Sequence, residues 1–402
     1  MLNAYIYDGL RSPIGRHAGK LAGLRPDDLA GEVIAEVVKR NAVEPGDISD
    51  VILGCVTQAG EDCRNVARFA TLMAGLPPSV PAVTVNRLCA SGLQAVADAA
   101  RAITAGEGEL YIAGGVESMS RAPFVMAKAE SPYSRDVKMY DTTIGSRFTN
   151  PRFRKLYGDQ AMPETGDNVA KEFGVSREQA DEFALSSQKK YAKAEAEGFY
   201  KGEIFSISLP SRKKDSPPSI VAQDEHPRRD STMESLAKLK PLYEGGVVTA
   251  GNASGVNDGA AALIIASLEW GEKNGKKPIA KILSAASAAV EPRIMGVGPA
   301  FAIPKALERA KLSLKDMDII EINEAFASQV LGCLALMKVD FKDPRVNPNG
   351  GAIAIGHPLG CSGARLALTV SRQLKETGNR YAAVSLCIGV GQGLAVVLER
   401  VQ

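Results

Sequence analysis

This 402-residue sequence has no long apolar run, no strong charge of one sign and no closely paired cysteines. Because no apolar stretch approaches the ~18 residues of a membrane-spanning helix, we expect no membrane span. Forty-eight lysines and arginines stand against 46 aspartates and glutamates, so the formal charge of +2 provides no basic surface for nucleic acid. These absences argue against an integral membrane protein and against a nucleic-acid-binding protein.

Cysteine and histidine are sparse and scattered. The six cysteines include no CxxC pair, and the chain is too long for a disulfide-stabilised scaffold, so we expect reduced thiols in a cytoplasmic protein. Three distant histidines make a structural zinc site unexpected, and no metal is predicted. The first residues, MLNAYIYDGLRSP, lack the features of a secretory signal, and the last, LERVQ, carry no lipidation or peroxisomal signal.

Strand-like and helix-like segments alternate over both ends of the chain. Residues 26–40 show the helical pattern, with proline and two aspartates in the first turn and two basic residues in the last. The alternation predicts an α/β protein with right-handed crossovers and a mostly parallel sheet. Helices are expected at 26–40, 64–75, 91–105, 176–197, 299–310, 324–337 and 361–374, and strands at 3–8, 50–56, 82–86, 109–115, 279–290, 318–323, 380–389 and 393–399.

The two ends of the chain also resemble each other. VNRLCASG, from residue 85, and VNPNGG, from residue 346, each begin a stretch that passes through a turn of small residues, a helix opened by Ser-Gly and an apolar strand. We interpret this as an internal duplication, although any two α/β units share some of these features. Residues 1–120 with 250–275 are predicted to form an N-terminal half, and 276–402 a C-terminal half. The charged, proline-rich residues 121–249 are interpreted as an inserted loop domain over one end of the sheets, where α/β proteins place ligand sites.

Cys89 is a candidate nucleophile. It lies in NRLCASG, between a predicted strand and a predicted helix. The unpaired N–H groups and partial positive charge of a helix N-terminus favour a thiolate. A buried structural cysteine is the equally plain interpretation, because that is the common fate of this residue.

Two further turns carry candidate acid–base residues. His357 lies among glycines in GGAIAIGHPLGCSG, just before a predicted helix, which favours a site residue over a satisfied core histidine. Cys387, in SLCIGVGQG, ends an apolar strand at a glycine-rich turn. If the halves are duplicated, the turns bearing Cys89, His357 and Cys387 converge on a nucleophile, a base and a second thiol.

Polar and glycine-rich segments supply candidate ligand contacts. Asn323 follows another apolar strand, where it either faces a ligand or caps the next helix. VTAGNASGVNDGA, at 248–260, could let backbone approach a ligand closely, but it contains no GK[ST] and is not a P-loop. GVGQG, at 389–393, leads into a strand and not a helix, so it is not a dinucleotide-binding fingerprint.

Taken together, these motifs resemble a thiolase. NRLCASGLQA, VTAGNASGVNDGAAA, NEAFA, NPNGGAIAIGHPLGCSGAR and CIGVGQGLA occur in the family's order over the full length of the chain. The resemblance implies a duplicated, five-layered α/β/α/β/α fold with an inserted loop domain. It also implies an acyltransferase that cleaves a 3-ketoacyl-CoA with free CoA.

The resemblance implies a role for each candidate residue. Cys89 would take the acyl group, with His357 helping to form its thiolate, and Cys387 would protonate the acetyl-CoA carbanion. A water held by Asn323, together with His357, would stabilise the enolate oxygen. The N–H groups of Cys89 and Gly389 would hold the oxyanion of the tetrahedral intermediate.

The same resemblance implies how CoA binds and how the chain assembles. CoA is a substrate here, and no metal or redox cofactor is implied. The region of Ser254, with Ala253 and Phe326, is expected to meet the pantetheine arm, and Arg228 in the loop domain the nucleotide end. The family suggests a homodimer or homotetramer.

The chain departs from part of the family at two positions. Short-chain biosynthetic thiolases carry a histidine where this chain has Ala161, which favours the degradative direction. Cys361 stands where the family often has alanine; it is either a reactive bystander or, more simply, a small residue opening a helix.

Other segments indicate the acyl group. QAGEDCRNVAR, DTTIGSRFTNP and AMPETGDNVA resemble thiolases that cleave 3-oxoadipyl-CoA, whose acyl chain ends in a carboxylate. The loop domain brings four arginines near this region, and arginine suits bidentate carboxylate binding. Arg147 is the first candidate among Arg135, Arg147, Arg152 and Arg154, although a solvated face or an oligomer contact explains these arginines equally well.

Several alternatives remain open at this level. A short-chain or acetoacetyl-CoA-forming thiolase fits the same motifs. A ketoacyl synthase would pair its cysteine with two histidines, or with a histidine and an asparagine, and a non-catalytic acyl-CoA-binding relative would have lost Cys89, His357 or Cys387.

Overall fold

The computed structural model describes residues 1–209 and 217–401, so residues 210–216 of the expected loop domain lie outside it. Its largest element is a mixed sheet of ten strands. The strands are β1 (Ala4–Arg11), β2 (Gly15–Arg16), β3 (Asp50–Gly54), β4 (Ala82–Val85), β5 (Leu110–Ser118), β6 (Phe124–Met126), β7 (Met139–Asp141), β8 (Ile207–Leu209), β9 (Ser219–Val221), β10 (Asn257–Ala266), β11 (Ala280–Ala289), β12 (Ile319–Ile322), β13 (Tyr381–Ile388) and β14 (Gln392–Arg400).

The helices flank this sheet or belong to the loop domain. They are α1 (Pro26–Arg40), α2 (Val66–Met73), α3 (Ser91–Ala105), α4 (Pro151–Tyr157), α5 (Met162–Phe173), α6 (Arg177–Ala196), α7 (Met233–Ala237), α8 (Leu268–Lys273), α9 (Gly298–Ala310), α10 (Ala327–Met337), α11 (Ala352–Ile355) and α12 (Leu359–Thr377). Short 3-10 helices lie at Lys20–Gly23, Pro45–Asp47, Met119–Arg121, Pro292–Val297 and Leu314–Asp316. Among the described residues, no helix is both long and apolar enough to cross a bilayer.

The sheet repeats one strand order in each half. Its path runs β12-β13-β14-β11-β1-β10-β5-β3-β4. The N-terminal half contributes β1, β3, β4, β5 and β10. When these five are numbered along the chain, their order across the sheet from the β4 edge is third, second, fourth, fifth, first. The C-terminal half follows the same order, because a parallel bridge places Val346 beside Ile320 of β12 in the position of the third strand. The topology therefore confirms the duplication.

The expectation of a mostly parallel sheet is wrong. β3 pairs in parallel with β4 and β5, and β12 with β13, whereas the remaining neighbours along the path are antiparallel. The reason is visible between β13 and β14, which are joined by the tight turn 389–391. Antiparallel strands accept so short a link, and parallel strands do not. In the N-terminal half the equivalent pair, β5 and β10, is joined by the long insertion instead.

Three apolar cores lie between the layers of helices and sheets. The middle core is built from α3 and α12 and from the facing sides of both halves of the sheet. A second core lies between the N-terminal strands and α1 with α2, and a third between the C-terminal strands and α9 with α10. This helix–sheet–helix–sheet–helix order is the five-layered α/β/α/β/α arrangement that the family resemblance implied.

The two middle helices touch at their first turns, where only glycine fits. A Cβ added to Gly92 would lie 2.5 Å from the carbonyl oxygen of Gly360, and one added to Gly363 would lie 2.3 Å from the Leu93 nitrogen. Cys89 and His357 stand three residues before Gly92 and Gly360. The contact between the helices therefore brings the loops that carry both residues to the same end of the middle layer.

A buried ion pair joins the loop domain to β1. Arg11 is fully buried and donates to Glu203 and to Asp224, each at 2.6 Å. Tyr191 of α6 donates to the same Asp224 at 3.0 Å. Because a buried charge without its partner is very costly, these contacts hold the insertion in one position over the sheet.

Candidate active site

Cys89 occupies a strained turn between β4 and α3. Leu88, just before it, has φ of 47°, in the left-handed region that residues other than glycine rarely adopt. Ser91 holds this turn, because its hydroxyl donates to the Leu88 carbonyl at 2.6 Å and accepts from the Arg87 N–H at 2.8 Å. Backbone strain that the surroundings enforce is typical of functional sites.

Burial opposes the thiolate that the helix N-terminus favours at Cys89. Burial raises the pKa of the Cys89 thiol to about 11, although the N–H groups of Gly389 and of Cys89 itself donate to the sulfur and act to lower it. The start of α3 contributes less than expected, because the Ser91 N–H already donates to the Leu88 carbonyl at 2.9 Å. Because the pKa of its thiol lies above neutral pH, Cys89 needs a base, which is the role that the resemblance gives to His357.

His357 is placed by a glycine and an asparagine. Gly356 has φ of 109°, and a Cβ there would lie 2.5 Å from the Asn257 side chain. The Asn257 Oδ1 atom accepts the His357 N–H at 2.9 Å, and its Nδ2 donates to the Gly15 carbonyl at 2.9 Å. The backbone of His357 is therefore held by β10, whose Asn257 lies a hundred residues earlier in the chain.

The hydrogen bonds of Ser362 select the tautomer of His357. The Ser362 hydroxyl donates to the Pro358 carbonyl at 2.9 Å, and its oxygen lies 2.6 Å from Nδ1 of His357. Because the hydroxyl proton is already used, the oxygen accepts from Nδ1–H, and Nε2 keeps its lone pair. Burial, with Arg365 nearby, lowers the pKa of His357 to about 3, so the ring is a neutral base at pH 7.

Asn323 points an unpartnered oxygen into the site. Its Nδ2 lies 3.4 Å from Nε2 of His357, while its buried Oδ1 has no hydrogen-bond partner among the described residues. A buried acceptor of this kind is normally satisfied by water or by a ligand. Asn323 does not cap the next helix, because α10 begins at Ala327 with Phe326 as its N-cap residue.

Cys387 closes the site from the C-terminal half. It is fully buried near the end of β13, and burial together with Cys89 raises the pKa of its thiol well above the ordinary value. Asn323 donates its backbone N–H to Ser385, two residues before Cys387, at 2.9 Å. The structure thus brings the five predicted residues Cys89, His357, Cys387, Asn323 and Gly389 together.

The predicted pantetheine residues line the same site. An isolated antiparallel bridge joins Ala253 to Phe326, and the Ser254 N–H donates to the Ala325 carbonyl at 2.9 Å. Ala253 and Phe326 pack in one apolar cluster with Cys387. Phe326 has extended backbone in this bridge, so the helix expected from 324 begins only at Ala327.

Arg228 lies further out, on the loop domain. Its side chain is exposed. Burial is the main cause that lowers the pKa of His226 to about 4, and the positive charge of Arg228 adds to the effect. His226 packs against the loop after Ser254, since a Cβ on Gly255 would lie 2.3 Å from Cε1 of His226. The segment that carries Arg228 therefore lies beside the loop that carries Ser254.

Glu117 is a supporting residue that sequence reasoning missed, as it missed Ser362 and Asn257. The Glu117 carboxylate is buried at the end of β5 and accepts the N–H groups of Val56, Thr57 and Gly360 at 2.9–3.1 Å. It ties the loop after β3 to the start of α12. An acidic residue inside an otherwise apolar strand, GGVES, was the available signal.

A possible metal cluster and a possible reactive thiol both have plainer interpretations. Cys55, Asp62 and Glu117 have ligand atoms within 4.8 Å of one another, but Asp62 and Glu117 already accept backbone N–H groups. Cys361 is fully buried in α12, and burial raises the pKa of its thiol to about 12. These observations favour Cys361 as a small helix residue, and not as a reactive bystander.

Comparison with known proteins covers the whole chain. The family model "Thiolase, N-terminal domain" matches residues 4–269, and "Thiolase, C-terminal domain" matches residues 276–400. Beta-ketoadipyl-CoA thiolases of Escherichia coli and Acinetobacter baylyi are 56% and 54% identical over 403 residues, covering 100% of both chains. An acetyl-CoA acetyltransferase of Cupriavidus necator is 42% identical over 402 residues, again covering 100% of both chains.

Solved structures agree with this result. The acetyl-CoA acetyltransferase of Bacillus anthracis superimposes with a TM-score of 0.92 at 39% identity, covering 100% of this chain and 99% of that one. Human mitochondrial 3-ketoacyl-CoA thiolase gives a TM-score of 0.91 at 37% identity with the same coverage. The match extends through both halves and the insertion. The chain therefore belongs to the thiolase family and is an acyltransferase.

Proposed function

We propose that this enzyme cleaves 3-oxoadipyl-CoA with free CoA, giving succinyl-CoA and acetyl-CoA. The relatives that are 54–56% identical over the full chain carry the name beta-ketoadipyl-CoA thiolase. The observation that carries the chemistry is the proximity of two thiols, Cys89 and Cys387, to each other and, through Asn323, to a neutral histidine. A ketoacyl synthase would pair its cysteine with two histidines, or with a histidine and an asparagine, and not with a second cysteine. A non-catalytic acyl-CoA-binding protein would not need a nucleophile and a base.

The first half-reaction transfers the acyl group to Cys89. The Cys89 proton moves to Nε2 of His357, and the sulfur attacks the C3 carbonyl of the substrate. The N–H groups of Cys89 and Gly389, which already point at the sulfur, hold the oxyanion. Collapse of the intermediate breaks the C2–C3 bond and releases the enolate of acetyl-CoA.

The enolate is then protonated, and the enzyme is restored. A water on Oδ1 of Asn323, together with protonated His357, stabilises the enolate oxygen, while the Cys387 thiol delivers a proton to its carbon. The incoming CoA thiol returns a proton to Cys387 and attacks the acyl group. Cys89 leaves as a thiolate and recovers its proton from His357, so atoms and charges balance.

The test is a thiolysis assay over a panel of 3-ketoacyl-CoAs. We expect the highest kcat/KM for 3-oxoadipyl-CoA and, without added CoA, a succinyl adduct on Cys89 by mass spectrometry. A maximum for acetoacetyl-CoA would instead favour the short-chain activity of the acetyl-CoA acetyltransferase relative. No adduct with any substrate would contradict thiolase chemistry at this site.

The proposal assigns every step to the protein or to CoA. It requires no metal or redox cofactor, so activity should survive dialysis against EDTA; a loss restored by a metal ion would contradict this. All six cysteines are free, which is consistent with a reducing compartment such as the cytoplasm.

We also propose a homo-oligomer built on β4. In the described part of the sheet β4 is the last strand, and Val83 on it is 41% exposed. Phe69 and Met73 of the neighbouring α2 are about half exposed as well. A second copy would cover this edge, since exposed apolar edge strands tend to pair. Sedimentation of the wild type and of Val83→Lys tests this: a monomeric wild type contradicts it.

A further inference from the structure

The four arginines of the loop domain differ in what they contact. Arg135 and Arg152 are exposed, and Arg154 forms an exposed ion pair with Asp159 at 2.8 Å. Arg147 alone among them is half-buried, and it forms no ion pair within the described residues. Its guanidinium therefore has donors left for a carboxylate.

Arg147 is held in place from the active-site side. One nitrogen of its guanidinium, Nη2, donates to the Thr57 carbonyl at 3.1 Å. Thr57 is buried, and its own N–H donates to Glu117, which also binds the start of α12 through Gly360. The carbonyl that holds Arg147 thus belongs to a residue whose own N–H binds the same carboxylate as the start of α12.

The loop that carries Arg147 also reaches the oxyanion side of the site. Its neighbour Ser146 lines a surface groove together with Met162 and Val390. Val390 directly follows Gly389, and the Met162 sulfur lies 4.0 Å from where a Cβ on Gly389 would be. Ser146, the residue before Arg147, therefore lies on a groove that also reaches Val390, the residue after Gly389.

We propose that Arg147 binds the distal carboxylate of the acyl chain and so sets the preference for dicarboxylic substrates. This inference rests on the proposed function, because it names the residue that recognises 3-oxoadipyl-CoA. A half-buried guanidinium without a carboxylate partner is suited to a charge-assisted, bidentate contact. Such contacts correspond to a discrimination of about ten- to a hundredfold against a neutral chain of equal length.

The experiment compares 3-oxoadipyl-CoA with 3-oxohexanoyl-CoA, which has the same chain length without the carboxylate. The kcat/KM ratio of the two is measured for the wild type, Arg147→Gln, Arg147→Lys and the matched control Arg154→Gln. We expect Arg147→Gln to lower the ratio about ten- to a hundredfold by losing only the dicarboxylic substrate. Arg147→Lys should lose less, and Arg154→Gln should keep the wild-type ratio.

The outcomes separate this inference from the proposed function. A wild type with no preference for 3-oxoadipyl-CoA contradicts the proposed substrate. A wild type with the preference, but with an unchanged ratio in Arg147→Gln, overturns the role of Arg147 alone. An equal loss for both substrates would also overturn it, because a purely structural role lowers both. An equal fall in the Arg154→Gln ratio would assign the effect to general loop charge and overturn it too.

Discussion

Replacing Ser362 by alanine should make His357 a poorer base without changing the contacts to the substrate. The Ser362 oxygen accepts from Nδ1–H of His357, and Ser362 is only 1% exposed, so water cannot easily replace it. Leaving that buried donor unpaired costs about 1–3 kcal/mol. The alternative tautomer, with the proton on Nε2, then becomes competitive and removes the base that Cys89 needs. The same free energy corresponds to a fall in kcat of about 5- to 150-fold.

The assay is thiolysis at saturating substrate, combined with urea unfolding of each variant. Ser371→Ala is the matched control, because Ser371 is also buried in α12 but donates only to the Ala367 carbonyl, at 2.7 Å. We expect Ser371→Ala to keep the wild-type kcat. We expect Ser362→Ala to lose kcat while its KM stays nearly unchanged. A Ser362→Ala kcat within twofold of the wild type, or an equal loss in the control, would refute the assignment of the tautomer.

Three further predictions concern the two thiols. Cys89→Ser should lower thiolysis by several orders of magnitude, because an alkoxide is far less accessible than a thiolate; retention of a tenth of the activity would contradict the nucleophile. Cys387→Ala should still form the acyl adduct on Cys89 but should lose exchange of the acetyl-CoA methyl protons with deuterated solvent, and wild-type exchange would disprove its role. Because the pKa of the Cys89 thiol is about 11, its thiolate fraction, and with it its alkylation by iodoacetamide, should rise about tenfold per pH unit between pH 7 and 9. Peptide mapping follows the adduct in Cys63→Ser, since Cys63 is exposed, and a plateau below pH 7 would indicate a preformed thiolate.

Helix positions were largely predictable from the chain. α1 and α3 occupy the full predicted ranges 26–40 and 91–105, because amphipathic spacing and end signals are local properties. Strand direction was not predictable in the same way. β5 pairs antiparallel with β10, which lies more than a hundred residues later in the chain. No local sequence pattern indicates so distant a partner or its direction.

The sequence by itself determined which side chains could do chemistry. Cys89, His357 and Cys387 each stand where a strand or a glycine-rich turn meets small residues, and that pattern is visible in the printed chain. Only the tertiary structure decided their protonation states. Burial raises the pKa of the Cys89 thiol and lowers that of His357, and Asn257, distant in sequence, holds the backbone N–H of His357. Desolvation and long-range hydrogen bonds exist only once the two halves have packed together, which is why burial outweighs the effect of the helix N-terminus and the site holds a thiol and a neutral base.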